Sequence, residues 1–502
     1  MTAHPEGPFC WAYAWPQSAR PGAEVAVYVS SSAPRVSVEV ARLGAARETV
    51  WRAADVAVGA HELGTTSAAE GCDWPEALRV PVGADWRSGY YEILVRAEQA
   101  GQVLTWPAFT VIRAPASRRR RMLLPLSTNT WQAYNDFADG QSLYTGGVTV
   151  SFRRPLAPGF LQKPPGLGRR VAAVHTPDPL RAAHKGYKVA HGLSDWCGSA
   201  GWPNWEEGFV AWAERSGYEI DFAVNSDLEF EPGLLDGYRL MLSVGHDEYW
   251  SMAMRDAVER FVGQGGNVAF LSGNTSSWQV RFEPDSSRMV CYKYRFQEDP
   301  CLGTDREREV TTIWSDRILG RPENELTGVS FTRGGYARIG TCVPRGSGGY
   351  TVHRPDHWLF DGTGLSYGDL LGAGATVVGY ECDGCDFTYV DGLPYPTSTD
   401  GTPPNFQILA TSSAMPFDRA RGVRPIPDDQ PSELENAAWR VLGTMDEATC
   451  ARLEHGHCVL GTFERNGSVV TTGCTDWVLG LGADADVDRV TRNILDRLGP
   501  DS

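Results

Sequence analysis

His246, Asp247 and Glu248 put an imidazole and two carboxylates into three consecutive residues. A triplet of this kind can carry protons, orient water or help to hold a cation. It lies in Gly245-His246-Asp247-Glu248-Tyr249-Trp250-Ser251, after an apolar run at 238–244 and before a helical pattern at 252–262. A plainer reading is also open. Asp247 and Glu248 would then only complement the positive end of the following helix, worth up to about 1 kcal/mol. The residues alone leave the two readings level. The turn carries histidine where a serine or thiol hydrolase would want its nucleophile, and no Gly-x-Ser-x-Gly occurs at this turn.

Other polar and aromatic groups follow apolar runs in the same way. Residues 122–126 lead into Ser127-Thr128-Asn129-Thr130-Trp131-Gln132-Ala133-Tyr134-Asn135. Residues 267–271 lead into Ser272-Gly273-Asn274-Thr275, and residues 468–472 into Gly473-Cys474-Thr475-Asp476-Trp477. Each single residue also has a bland explanation. Tyr134 and Tyr144 could be half-buried aromatics with hydroxyls at the surface. Asn274 could cap a helix, and Glu381, in Gly379-Tyr380-Glu381-Cys382-Asp383, could be a surface carboxylate. Cys382-Asp383-Gly384-Cys385 is a CxxC, and Cys291, Cys301 and Cys342 share its region. The irregular spacing favours reduced thiols over a structural zinc. No phosphate-binding GxxxxGK[ST], HExxH zinc helix or zinc deaminase pattern occurs.

The elements that must carry these groups read as two parts. Residues 1–117 form an all-β region of short valine-rich strands near 23–29, 36–40, 90–95 and 108–112, punctuated by Gly22, Gly44, Gly83 and Gly89. That spacing suggests a sandwich of immunoglobulin type, acting as a scaffold or oligomer contact. From 118 to 502 the texture becomes α/β. Strands near 122–126, 218–224, 238–244 and 267–271 alternate with helices near 204–215 and 252–262, the latter capped by Ser251. Alternation predicts a doubly wound, mostly parallel sheet of the glutamine-amidotransferase or flavodoxin kind. Residues 285–400, rich in Gly, Pro, Cys and Tyr, read as an irregular β insertion. A strand near 406–410, a helix near 433–442, a strand at 468–472 and a helix near 487–498 complete the chain. Ligands of parallel sheets bind beyond the carboxyl ends of the strands, where the groups above would converge.

Bulk composition narrows the partners. The net charge is −16 over 502 residues, which repels phosphate backbones and argues against nucleic acid. The one basic run, Arg118 to Arg121, reads as a solvated linker. No apolar stretch is long enough for a membrane span, and residues 1–17 lack the pattern of a signal peptide. Eleven scattered cysteines suit reduced thiols and a cytoplasmic setting.

Several ordered motifs resemble one family. They are Asn129-Thr-Trp-Gln-Ala-Tyr-Asn135, Ser142-Leu-Tyr144, Ser151-Phe-Arg-Arg-Pro155, Val244-Gly-His-Asp-Glu-Tyr-Trp-Ser251 and Gly265-Gly-Asn-Val-Ala-Phe-Leu-Ser-Gly-Asn274. Trp278-Gln-Val-Arg281, Arg321-Pro-Glu-Asn-Glu-Leu-Thr-Gly328, Gly379-Tyr-Glu381, Gly473-Cys-Thr-Asp-Trp477 and Val490-Thr-Arg-Asn-Ile494 extend the set. Together they resemble the β subunit of N,N-dimethylformamidase from about residue 120 to the end, and the preceding β region resembles the domain before it. The resemblance implies a mononuclear iron, as Fe3+, held by Tyr134, Tyr144 and Glu248, with His246, Asn274 and Glu381 as catalytic groups around it. It implies hydrolysis of a small N-alkyl or N-formyl amide. It leaves room for a homo-oligomer and for a small partner subunit, which is not part of this chain. Two other readings stand beside it: a different metal-dependent tailoring enzyme of small-molecule biosynthesis, and a non-catalytic binding module.

Overall fold

The computed structural model describes residues 7–137, 140–164, 186–337, 346–416 and 431–499. It is sheet-rich with fewer helices, and it divides into two compact units. The first takes in Met1–Val171, Lys188–Gly237 and Arg281–Tyr292, the second Ala172–Tyr187, Tyr238–Val280 and Lys293–Ser502.

In the first unit the described residues of the N-terminal region, 7–112, are all β apart from a short helix, Ser67–Glu70. One antiparallel sheet orders Cys10–Trp15, Glu24–Ser31 and Glu76–Pro81. A second sheet, antiparallel except for its first pairing, orders Ser18–Ala19, Gln102–Ile112, Gly89–Gln99, Arg35–Leu43 and Arg47–Ala57. Alternation decides which side chains turn inward. Val25, Val27 and Val29 from one sheet and Val36, Val38, Val40, Ile93 and Val95 from the other share a single hydrophobic core. The same unit holds a parallel pair, Met122–Leu126 with Ile220–Val224. Helices Thr128–Tyr134, Glu206–Arg215 and Asn225–Phe230 accompany that pair.

The second unit carries strands in the order Leu240–His246, Asn267–Gly273, Ser468–Thr471, Gly456–Glu464, Gln407–Ala414, Tyr350–Val352 and Leu370–Leu371. The first three run parallel. They are joined through crossovers, one of them the helix Met252–Gly263, as the strand–helix rhythm predicts. Beyond Ser468–Thr471 every pairing among the described residues is antiparallel, which departs from the mostly parallel sheet expected. The reason is local connection. Gly456–Glu464 returns as Ser468–Thr471 through a tight hairpin, and Tyr350–Val352 and Leu370–Leu371 come from the region expected to be a separate insertion. Another part of that region, Glu381–Gly384, pairs with Ser330–Tyr336 in a separate two-stranded ribbon. Among the described residues no helix is long and apolar enough to cross a membrane.

Candidate functional site

The parallel strands of the second unit deliver the sharpest candidates. Leu240–His246 is buried throughout, so its C-terminal residue arrives with its side chain already out of water. The chain then makes a short strand, Tyr249–Ser251, before Met252–Gly263 begins. The Ser251 hydroxyl caps that helix by accepting from the Met254 backbone N–H at 3.1 Å. No acidic residue lies in the first turn, so Asp247 and Glu248 do not serve the helix dipole. Asp247 turns its carboxylate to the Ser243 hydroxyl at 2.9 Å, and its carbonyl accepts from Ser276 N at 2.8 Å. The Glu248 carbonyl accepts from Trp278 N at 2.9 Å, beside the parallel pairing of Tyr249 with Trp278.

His246, Glu248, Asn274 and Glu381 come together. His246 Nε2 lies 2.7 Å from Glu381 Oε2 and 3.2 Å from Glu248 Oε2. Asn274 Nδ2 donates to Glu381 Oε2 at 3.3 Å and lies 3.5 Å from His246 Nε2. All four are buried, Glu381 to 3% exposure, which removes its reading as a surface carboxylate. Asn274 caps no helix. It sits in a tight turn with φ +51°, and its Oδ1 is buried without a hydrogen-bond partner among the described residues. Burial would depress the His246 imidazole, but the Glu381 and Glu248 carboxylates beside it raise it well above its ordinary value. The cluster therefore sets an imidazole between two carboxylates, with the Asn274 amide donating to Glu381.

The first unit brings Tyr134 and Tyr144 together. Tyr134 ends the helix Thr128–Tyr134 and is 3% exposed, so its hydroxyl is not at the surface. Leu143 N bonds the Ala133 carbonyl at 3.1 Å and Tyr144 N bonds Ser142 Oγ at 3.1 Å, which return the loop to the helix end. Asn135 secures the other side. Its Oδ1 accepts from Phe137 N and Ala157 N at 3.1 and 3.0 Å. The two rings stack at 4.0 Å between centroids, and Tyr144 Oη donates to Tyr134 Oη at 2.6 Å. Trp196 packs against both rings. Two phenol oxygens this close suit adjacent ligand positions on one hard ion. Among the described residues no group of three or more His, Cys, Asp and Glu side chains has metal-holding geometry, so a metal there would need donors such as phenols. Cys291, Cys301, Cys382 and Cys385 are buried and in no disulfide; Cys342 lies outside the described residues.

Asp383 lies beside this cluster, accepting from the Asn274 and Thr275 N–H groups, and the sequence does not single it out. Glu381 and Asp383 stand two apart on one strand, so they share a face, and that alternation was the available signal. Asp383 is 1% exposed, and burial pushes its carboxyl well above the usual range, against the lowering pull of the Thr275 and Asn274 N–H groups.

The sequence profile of the N,N-dimethylformamidase beta subunit-like family, C-terminal region, matches residues 37–489. The chain belongs to that family. The match begins well inside the N-terminal β region and not only near residue 120. Among curated proteins the chain is similar to the N,N-dimethylformamidase beta subunit of Paracoccus aminophilus, 27% identical over 57% of this chain and 35% of that protein. It is also similar to the N,N-dimethylformamidase beta subunit of an Alcaligenes species, 27% identical over 40% of this chain and 26% of that protein. The matches thus span about a third or less of these dimethylformamidase subunits' own length.

Proposed function

We propose that this chain is an iron-dependent amidohydrolase of the dimethylformamidase kind, cleaving the C–N bond of a small N-alkyl or N-formyl amide. The observation that carries the reading is the buried convergence of His246, Glu248, Asn274 and Glu381 in a member of this family. A buried carboxylate–imidazole–carboxylate arrangement is costly to a fold, and perturbed groups of this kind concentrate at sites of proton transfer. In this reading Tyr134, Tyr144 and Glu248 hold a mononuclear Fe3+. The stacked phenols with adjoining oxygens support it for the first two. Iron bound to these residues would supply a Lewis acid that polarises the amide carbonyl and acidifies water. The reading includes an immunoglobulin-type sandwich and a flavodoxin-like sheet as its scaffold, with residues 1–117 and 118–502 as domains. It leaves the sandwich without catalytic groups and allows for a homo-oligomer or a small partner subunit, since the relatives are named as subunits.

The roles of the chain's own residues follow from their atoms. Glu381 takes the proton that the attacking water gives up and hands it to the departing amine nitrogen as the C–N bond breaks. His246 holds its proton between Glu381 and Glu248, which keeps the Glu381 carboxylate oriented. Asn274 donates through Nδ2 to Glu381, leaving its buried Oδ1 to accept from water or a substrate N–H. Water excluded from so buried a cluster strengthens each of these interactions.

The test combines metal content, visible absorbance and amine release. Phenolate on ferric iron gives a visible charge-transfer band, so the iron-loaded protein is expected to be coloured. Glu248→Ala should lose iron, colour and turnover together, whereas Glu381→Gln should keep iron and colour and lose at least about 100-fold in kcat. A colourless zinc-bound wild type, or a fully active Glu381→Gln protein, would refute the mechanism. A metal-bearing protein that releases no amine from any small amide would favour a different tailoring reaction, and a metal-free one a binding module.

A further inference from the structure

We infer that Asp383 is a positioning residue: its carboxylate clamps the backbone of the Asn274 turn and so fixes the Asn274 amide against Glu381. This rests on the reading of Glu381 and Asn274 given above. Asp383 Oδ1 accepts from the Asn274 N–H at 2.9 Å and Oδ2 from the Thr275 N–H at 3.1 Å. Both carboxylate oxygens are thus spent on two successive amides of one turn.

That turn needs holding. Asn274 has φ +51° and Ser276 φ +52°, in the left-handed region that side chains with a Cβ rarely adopt. Such a conformation persists only where its surroundings over-determine it. The approach to the Glu381 strand is also close. A Cβ on Gly273 would stand 2.6 Å from the Glu381 carbonyl oxygen and 2.5 Å from Thr475 N, so only glycine lets the turn lie there. The far side is anchored by Ser276 N on the Asp247 carbonyl at 2.8 Å and by the Ser272–Thr275 hydroxyl pair at 2.8 Å. Asp383 is itself fixed by its N–H on the Gly473 carbonyl at 2.8 Å.

The strand geometry makes the coupling specific. Glu381 and Asp383 are alternate residues of Glu381–Gly384 and project to one face. One strand therefore carries both the proton carrier and the clamp on that carrier's amide partner. Removing one acceptor oxygen opposite a backbone N–H leaves two donors facing each other, and the turn must move to separate them. Asn274 Nδ2, now 3.3 Å from Glu381 Oε2, moves with it.

Asp383→Asn tests this in the full chain. Crystal structures of wild type and variant should show the 273–276 turn displaced and Asn274 Nδ2 out of hydrogen-bonding reach of Glu381. An unmoved turn would overturn the inference whether or not the protein is an amidase. With N,N-dimethylformamide as probe, release of dimethylamine should fall about tenfold or more in kcat at unchanged KM. The same substitution on an Asn274→Ala background should cost nothing further in kcat, because Asp383 acts through Asn274. Full additivity of the two losses would overturn the coupling. Should Asp383→Asn fail to fold, Asp383→Glu, which keeps the charge and displaces the oxygens by one methylene, is expected to show the same kcat loss and the same non-additivity. Absence of any amidase activity in wild type would sink the proposed function and leave the crystallographic comparison to decide the role of Asp383.

Discussion

At the scale of single residues, the protein keeps together groups that are far apart in sequence and costly to bury. His246 and Glu381 are joined at 2.7 Å with both side chains almost fully out of water. The Tyr134–Tyr144 pair is the simplest place to separate structure from chemistry. Tyr144→Phe removes one hydroxyl and leaves the stacked ring, so the lost hydrogen bond should cost about 1 kcal/mol of unfolding free energy by urea titration. Iron binding should drop far more steeply than that, since the same hydroxyl is a proposed ligand. A Tyr144→Phe protein with native metal content would remove Tyr144 from the ligands while leaving the family assignment untouched. The segments after residues 126, 244, 271 and 472 are legible because polar residues after apolar runs mark strand ends, whereas Tyr144 and Glu381 stand out only through the family resemblance. What the sequence could not reveal was burial and backbone: nothing in Ser272-Gly273-Asn274-Thr275 announces that Asn274 is left-handed, and nothing near Glu381 announces that it is 3% exposed.

At the scale of elements, period and capping are legible where a helix has one apolar face. Met252–Gly263 buries Met254, Val258, Phe261 and Val262, the stripe that its spacing predicts. Ser251→Ala should therefore cost about 1 kcal/mol through the lost cap on Met254 N, visible as a lower urea midpoint with an unchanged slope. A shift in the slope would instead mean that the start of this helix unfolds separately. Arg47–Ala57 shows the limit. It is the edge strand of its sheet and none of its residues is buried, so no alternation of apolar and polar residues betrays it. The antiparallel half of the second unit's sheet was hidden for another reason. Tyr350–Val352 and Leu370–Leu371 are too short to carry a period, and the glycine-rich sequence around them reads as loop whether or not it joins a sheet.

At the scale of the whole molecule, charge sets the response to pH. The net charge of −16 means that acidification first relieves self-repulsion, so stability lost on acidification comes from groups whose folded state resists protonation, histidines held neutral by burial and carboxylates held ionised by arginine partners. His357 is such a group. Burial, reinforced by the Arg497 charge and only partly opposed by Asp361, lowers it to about 4. Its Nδ1 accepts from the Leu359 N–H at 3.3 Å, at the head of the short helix Trp358–Phe360, which requires that nitrogen unprotonated. The sign follows from linkage. Between the unfolded value near 6.5 and the folded value near 4, the unfolded chain binds the proton and the folded chain does not. Stability from this group is thus fully present above about pH 6.5 and falls as the pH drops toward 4. Asn in place of His357 keeps a cap acceptor without a titrating ring. His357→Asn should therefore flatten the stability loss across this window relative to wild type and change little at pH 8. Denaturant midpoints at pH 8, 6.5, 5.5 and 4.5 on both proteins decide it. Parallel curves would mean that His357 titrates alike in the folded and unfolded chain, and that its burial does not govern the acid response.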